Sequence, residues 1–249
     1  MRRAKNWLAA FLLLFACYHA PEVLRTPALM LAFLPIAWLI ARALRLGMGE
    51  AYALGWNRRA ALLLAAGFLL ATLAKLGTLL VGTRLGVYAY VPSRPPWTEI
   101  LQAFAWISIY TFVPSIAEDI LTRGFWARVP AWRWTAWRFV SFTSALYVLN
   151  HISRLGHGPT EWLMLFCFGV AHATAFWRAG TLWAAVGLHW GWNFAGSMLG
   201  AWWNSTQPGS GWWLSASAHL LLAAICLGLS PAAGVADPRA PARAPVDAA

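Results

Sequence analysis

Three features of the sequence predict an all-α, polytopic membrane protein with about eight transmembrane helices: its apolar content, the spacing of its apolar runs and a one-sided distribution of cations. Of 249 residues, 60% are apolar and only 11% charged, against about 45–50% and about 25% in a soluble domain. A helix crosses the roughly 30 Å hydrocarbon core in about 20 residues, so eight spans with short links fill a chain of this length. The formal net charge of +11 is not a nucleic-acid footprint, because stretches such as residues 60–74 carry no charge at all. The 18 Trp include Trp97, Trp126, Trp132, Trp134, Trp202, Trp203, Trp212 and Trp213 beside polar or turn residues, positions where indole rings favour the headgroup layer.

Taken in order, the apolar runs place spans near residues 6–22, 27–44, 59–82, 101–126, 137–155, 161–177, 181–199 and 211–230. The first follows a basic start. Its Leu14-Phe15-Ala16-Cys17 is a poor lipoprotein cleavage box, and more apolar segments follow, so a retained helix is expected. Pro27 suits a helix start and Pro35 is expected to kink the second span. The third span is the cleanest apolar run, broken only by Lys75. The fourth and fifth contain ionisable residues that a lipid anchor does not need, and these are functional candidates by default. Pro92, Pro95 and Pro96 mark a non-helical link before the fourth span. Gly187/Gly191 and Gly196/Gly200 recur at a four-residue spacing that permits close helix approach. Cys17, Cys167 and Cys226 are few and scattered, which fits buried thiols better than a disulfide framework. Residues 231–249 are rich in Pro and Ala without apolar periodicity and read as a disordered cytoplasmic tail, leaving residues 1–230 as one transmembrane helical domain.

If the spans alternate, 14 cations (Arg2, Arg3, Lys5, Arg42, Arg45, Arg58, Arg59, Arg123, Arg128, Arg133, Arg138, Arg178, Arg239 and Arg243) fall on one side and four (Arg25, Arg84, Arg94 and Arg154) on the other. The positive-inside rule then puts both termini in the cytoplasm. A multi-pass protein of a bacterial cytoplasmic membrane is expected.

Polar residues concentrate in three spans. The fourth ends in Glu118-Asp119, with Arg123 four residues on; the fifth carries Tyr147 and His151; the seventh carries His189 and Asn193, which share a helix face at i,i+4. Counted from the cytoplasmic ends, Glu118 and His189 lie about 12 Å deep, Asn193 about 18 Å and His151 about 20 Å. With tilt, all four can meet between the cytoplasmic leaflet and the midplane. His172, in the apolar sixth span, is expected either to face the cavity or to be a satisfied packing residue; His157 lies in a polar link, His19 and His219 lack motif partners, and structural or incidental roles are expected for these and for the glycosylation pattern Asn204-Ser205-Thr206.

The ordered set Glu118-Asp119-x-x-x-Arg123, Tyr147-x-x-x-His151 and His189-x-x-x-Asn193 resembles the three-part signature of the CAAX-protease and bacteriocin-processing family of intramembrane endopeptidases. The resemblance covers roughly residues 100–200. Asp119 stands where the family has a second Glu, and Tyr147 where it commonly has Phe. The resemblance implies a protease core at about residues 100–200 and a membrane-associated peptide substrate, with or without a lipid on it. The cut is either removal of residues after a lipidated Cys or processing of a C-terminal signal or precursor.

In such an enzyme Glu118 is the expected general base and later acid, because a carboxylate held away from water is a stronger base. His151 holds the water, while His189 and the Asn193 amide donate to the developing oxyanion. Asp119, Arg123 and Tyr147 support them, with Arg123 orienting Asp119 or holding a substrate carboxylate. No cofactor is required for this chemistry. Zinc on Glu118, His151 and His189 is the alternative, less favoured because no HExxH helix is present and Asn193 suits an oxyanion better than a metal. Two other function classes fit the same composition. One is a proteolytically inactive membrane binding or bacteriocin-immunity protein. The other is a proton-coupled transporter, although paired broken-helix repeats are lacking.

Overall fold

The computed structural model describes residues 2–92, 95–129, 134–200, 202–206 and 211–228. The predicted tail, residues 231–249, lies outside the described residues, as does Trp132. Ten α-helices account for almost all of the described residues: α1 (Arg2–Val23), α2 (Phe33–Ala43), α3 (Met48–Tyr52), α4 (Arg58–Arg84), α5 (Trp97–Asp119), α6 (Phe125–Arg128), α7 (Ala136–Asn150), α8 (Pro159–Ala179), α9 (Leu182–Leu199) and α10 (Trp212–Gly228). Short 3-10 helices precede α2 (Pro27–Ala32) and α8 (Ile152–His157). Among the described residues each of the eight predicted runs contains an α-helix. Two helical stretches, Arg58–Arg84 and Trp97–Arg128, are long and apolar enough to cross a membrane on length and composition alone. The others fall short in length or apolar content: α7 has 15 residues, and α9 has 18 that include His189, Trp190, Trp192 and Asn193.

Local chemistry explains the helix ends. The Asn57 side chain accepts from the Ala60 N–H at 2.8 Å and caps α4. Gly180, at φ 70°, closes α8 by donating its N–H to the Phe176 carbonyl at 2.8 Å, a left-handed cap that costs glycine little. Pro35 is the third residue of α2, where its missing N–H is one of the unpaired first-turn groups, and the 3-10 helix Pro27–Ala32 leads into it.

The fifth predicted helix is shorter than expected, and its end matters. α7 stops at Asn150, and His151 lies just past it at φ −92°, ψ 47°. The His151 ring Nδ1 sits 2.8 Å from the Tyr147 carbonyl, the acceptor that the residue's own N–H would use in a continuing helix; that N–H goes to Val148 O instead. The side chain has displaced the backbone from the ladder.

On α4 the small residues Ala60, Ala71, Thr78 and Gly82 are buried together with Leu79, while Leu62, Leu69, Leu73 and Leu80 are exposed. Small residues on the buried face let helices approach closely. The closest approach is α4 against α9. A Cβ on Gly187 would strike the backbone of Leu64 and one on Gly191 that of Phe68, while Gly67 meets the backbone of Ala184 and Leu188 in return. Thr72 Oγ1 adds a hydrogen bond to the Gly191 carbonyl at 3.2 Å. Only the first of the two predicted glycine pairs is a helix contact of this kind. Gly196 instead faces the Lys75 side chain, and Gly200 meets its own helix's carbonyls.

Two segments outside the predicted helices pair as strands. β1 (Tyr88–Tyr90) runs antiparallel to β2 (Trp203–Ser205), with Tyr88 opposite Ser205. Thr206 Oγ1 donates to the carbonyls of Gly86 and Val87, and Trp203 Nε1 to Thr83 Oγ1 at 3.0 Å. The tryptophans expected at the interface divide into two groups. Trp97 and Trp213 are exposed, whereas Trp126 and Trp134 pack with Phe139 and Phe142, the Trp134 indole donating to the Trp126 carbonyl.

Because Gly191 leaves no room for a side chain against the Phe68 carbonyl, Gly191→Leu is expected to lower the unfolding free energy by about 1–3 kcal/mol through overpacking. The thermal midpoint of the detergent-solubilised protein measures it, with Gly77→Leu, where a Cβ meets nothing within 4 Å, as the near-neutral comparison.

Candidate active site

α5 does not end where its α-helical geometry does. It passes through a π-helical turn, Ile120–Gly124, into α6, and residues 115–125 are all buried. A π turn accommodates one extra residue and so rotates the side chains after it, a device common at functional sites. Here it sets Thr122 and Arg123 inward along with Glu118 and Asp119. Thr122 Oγ1 donates to the Glu118 carbonyl at 2.7 Å.

Glu118 lies at the centre, 4% exposed. Its Oε1 accepts from the Asn150 Nδ2 at 2.9 Å and lies 3.4 Å from His151 Nδ1; its Oε2 lies 3.5 Å from His189 Nε2. The other nitrogen of His189, Nδ1, faces Asp119 Oδ2 at 3.5 Å. The second Asp119 oxygen is held by Arg123, whose guanidinium is fully buried, also donates to Thr122 Oγ1 at 2.9 Å, and stands 4.9 Å over the Tyr147 ring. Tyr147 in turn touches both His151 and His189 with its ring. A fully buried guanidinium survives only with its charge matched and its face covered, and Asp119 and Tyr147 do both.

The structure therefore brings six of the seven sequence-selected residues, Glu118, Asp119, Arg123, Tyr147, His151 and His189, into one connected group. Asn193 stands slightly apart. It is one turn beyond His189 on α9, its Nδ2 donates to Ser115 Oγ at 3.2 Å, and it lines a cavity of about 780 Å³. The cavity runs past Thr111, Pro114, Trp192 and Lys75 and reaches the α1–α2 connection at Pro21 and Pro27.

Three residues given no functional role from the sequence join the group. Asn150 is the strongest hydrogen-bond partner of Glu118. Its signal was its place beside His151 at the end of an apolar run. His19, on α1, lies 3.2 Å from the Asn150 Oδ1; nothing local marks it, because the contact spans 131 positions. His172 stacks on His189 at 4.8 Å with a 21° interplanar angle, and neither of its ring nitrogens has a hydrogen-bond partner among the described residues. Of the two expectations for it, a cavity-facing ring or a satisfied packing residue, the second does not hold. His219 fits that expectation better. Its Nδ1 sits 2.8 Å from the Ser215 carbonyl and its ring stacks on Phe168.

The same atoms allow a metal ion. Asp119, His172 and His189 each offer a ligand atom, all within 4.8 Å of one another, and all three residues are buried. Asp119 Oδ2, His189 Nδ1 and both nitrogens of His172 lack hydrogen-bond partners among the described residues. A carboxylate and two imidazoles suit zinc by donor type, leaving a fourth position open. A metal-capable cluster of one carboxylate and two histidines is thus present, as the alternative reading allowed. It shares His189 with the set expected from sequence, with Asp119 and His172 in place of Glu118 and His151.

The central region of the chain matches the Rce1-like family model. That model is described as Type II CAAX prenyl endopeptidase Rce1-like, and the match spans residues 99–195. Comparison with curated proteins gives no match. The Rce1-like region runs from the start of α5 into α9 and contains all seven sequence-selected residues together with Asn150 and His172, but not His19 or Lys75. The match and the long apolar helices support a membrane-associated, hydrolytic and protease-like function in general terms.

Removing the partner of a fully buried guanidinium leaves an uncompensated charge. Asp119→Ala is accordingly expected to destabilise the protein by about 3–5 kcal/mol, whereas Asp119→Glu, which keeps a carboxylate for Arg123, retains most of the stability. Chemical unfolding in detergent, followed by Trp fluorescence, separates the two.

Proposed function

We propose that this protein is a multi-pass intramembrane endopeptidase in which Glu118 activates water against a peptide bond of a membrane-associated substrate. The observation that supports this reading most directly is the setting of Glu118. Two imidazoles approach its separate oxygens at 3.4 and 3.5 Å, and one amide donates to it, in a site 4% exposed. A structural carboxylate in a bilayer needs one cation, and the nearby guanidinium is already taken by Asp119.

In the proposed reaction, Glu118 takes a proton from water as the water oxygen bonds to the scissile carbonyl carbon. His151 positions that water. The oxyanion is met by His189 Nε2–H and by the Asn193 amide, which turns from Ser115 toward the substrate. Asp119 Oδ2 stands 3.5 Å from Nδ1 on the other side of that imidazole, and Arg123 holds Asp119. Collapse of the tetrahedral species breaks the C–N bond, and the proton on Glu118 passes to the departing amine. The products are a carboxylic acid and an amine, with one water consumed. Asp119, His172 and His189 would hold a divalent ion if one were bound, and such an ion would supply Lewis acidity. Glu118, His151 and Asn193 lie outside that donor set, while His189 and Asp119 belong to both.

We further propose that all eight apolar helical segments span a bacterial cytoplasmic membrane, with both termini on the cytoplasmic side, as one helical domain over residues 1–230. The cation distribution and the outward-facing leucines support this arrangement. Substrates of the class suggested by resemblance, lipidated or carrying a membrane-held C-terminal signal, reach such a site from within the bilayer.

Cleavage of membrane-associated peptides by the purified protein tests the reading. Glu118→Gln is expected to lower turnover by about 10²–10⁴-fold with folding intact, and His151→Ala to lower it severely. A chelator is expected to leave the rate unchanged. Undiminished cleavage by Glu118→Gln removes the base and favours the binding or immunity class; loss on chelation with recovery on zinc overturns the metal-free route.

A further inference from the structure

Lys75 is the one cation in the middle of α4, one of the two described helices long and apolar enough to cross a membrane, and the proposed mechanism makes no use of it. Its side chain lines the 780 Å³ cavity together with Trp192 and Asn193. The ammonium stands 4.7 Å from the centroid of the Trp192 ring, and the stem passes Gly196 so closely that a Cβ there would lie 3.5 Å from Lys75 Cε. Among the described residues no carboxylate lies within 4.0 Å of it. The other charged groups of the cavity wall are Glu22, which makes no ion pair with Lys75, and Arg154, which is paired with Glu161. An ammonium in an apolar span is expensive, and one that faces a cavity without a protein counter-charge marks a ligand path.

We propose that Lys75 anchors the free C-terminal carboxylate of a peptide substrate inside this cavity, so that the enzyme selects chain ends and cuts close to them. This rests on the endopeptidase reading above. The position supports it. Trp192, Asn193 and Gly196 lie within about one turn of α9, some 6 Å of rise, so the anchor is close to the amide assigned to the oxyanion. An extended peptide covers about 3.3–3.6 Å per residue, which puts the scissile bond within a few residues of the anchored end. A C-terminal carboxylate is also the one anion that every peptide can present whatever its side chains, while the apolar wall formed by Met30, Trp106, Ile109 and Phe168 takes the last side chains.

The test uses two pools of N-acylated peptides in detergent micelles, randomised over their last five positions and identical except that one ends in a carboxylate and the other in an amide. The wild-type protein is expected to consume the acid pool with kcat/KM about ten- to a hundredfold above the amide pool, the size of one charged hydrogen bond. Lys75→Met is expected to abolish that preference by slowing the acid pool alone, through KM more than kcat, and Lys75→Arg to restore most of it. Equal rates on both pools by the wild type, or an unchanged acid preference in Lys75→Met, overturn the anchor. Absence of cleavage of either pool counts against the endopeptidase reading instead, and the anchor is then decided by binding. Glu118→Gln protein is expected to retain the acid pool over the amide pool, and the double variant Glu118→Gln/Lys75→Met to retain both equally; equal retention by Glu118→Gln alone overturns it.

Discussion

The pairing of Asp119 with Arg123 is the constraint around which the rest of the site is arranged. Both side chains are fully buried, and a charge of either sign left alone at that depth would cost more than the helix carrying it could repay. The pair therefore has to be closed within one turn, and the π-helical stretch from Ile120 to Gly124 brings Arg123 round to do so. Once closed, it leaves one Asp119 oxygen facing His189 and the guanidinium face covering Tyr147. Glu118, one residue earlier, is left with no cation of its own and faces imidazoles and an amide instead. Two adjacent carboxylates in one helix thus have different roles, because only one of them can reach the arginine.

Around this centre the helices contribute by what they lack as much as by what they carry. Gly187 and Gly191 let α9 lie directly on α4, which fixes the height of His189 and Asn193. α7 ends where it does because His151 spends its ring nitrogen on the Tyr147 carbonyl, and the broken ladder frees the His151 ring to turn toward Glu118. A helix continuing to residue 155 would have carried that imidazole on a regular helical face. α1, outside the Rce1-like region, reaches in through His19 to the far side of Asn150. The site is consequently larger than the region by which the chain is matched to a family.

Apolar runs and side-chain type were local properties, and they located the helical segments and most of the chemical group, while the glycine spacing marked a face for close approach without naming α4 as its partner. The motif residues were legible because polar side chains in an apolar run are costly and hence conspicuous. Asn150 was half-visible on the same ground. His19 was read as structural or incidental, and His172 was left between packing and the cavity, since a single histidine in a helix carries no sign of what lies opposite it. Trp126 and Trp134 show the limit in the other direction: an indole beside polar residues looks interfacial, yet these two close an aromatic cluster with Phe139 and Phe142.

From the amino-acid order alone came the helical class, the segments and the identity of the residues with chemical capacity, because hydrophobicity, side-chain type and i,i+4 spacing act over one or two helical turns. Which of those residues meet was decided by the tertiary structure: that His189 lies between two carboxylates, that His172 rather than His151 completes a metal-capable set with Asp119, and that Lys75 faces a cavity beside Asn193. These are contacts between helices far apart in the chain. They depend on how closely two backbones approach and how each helix is turned about its axis, and neither quantity is written in any single stretch of sequence.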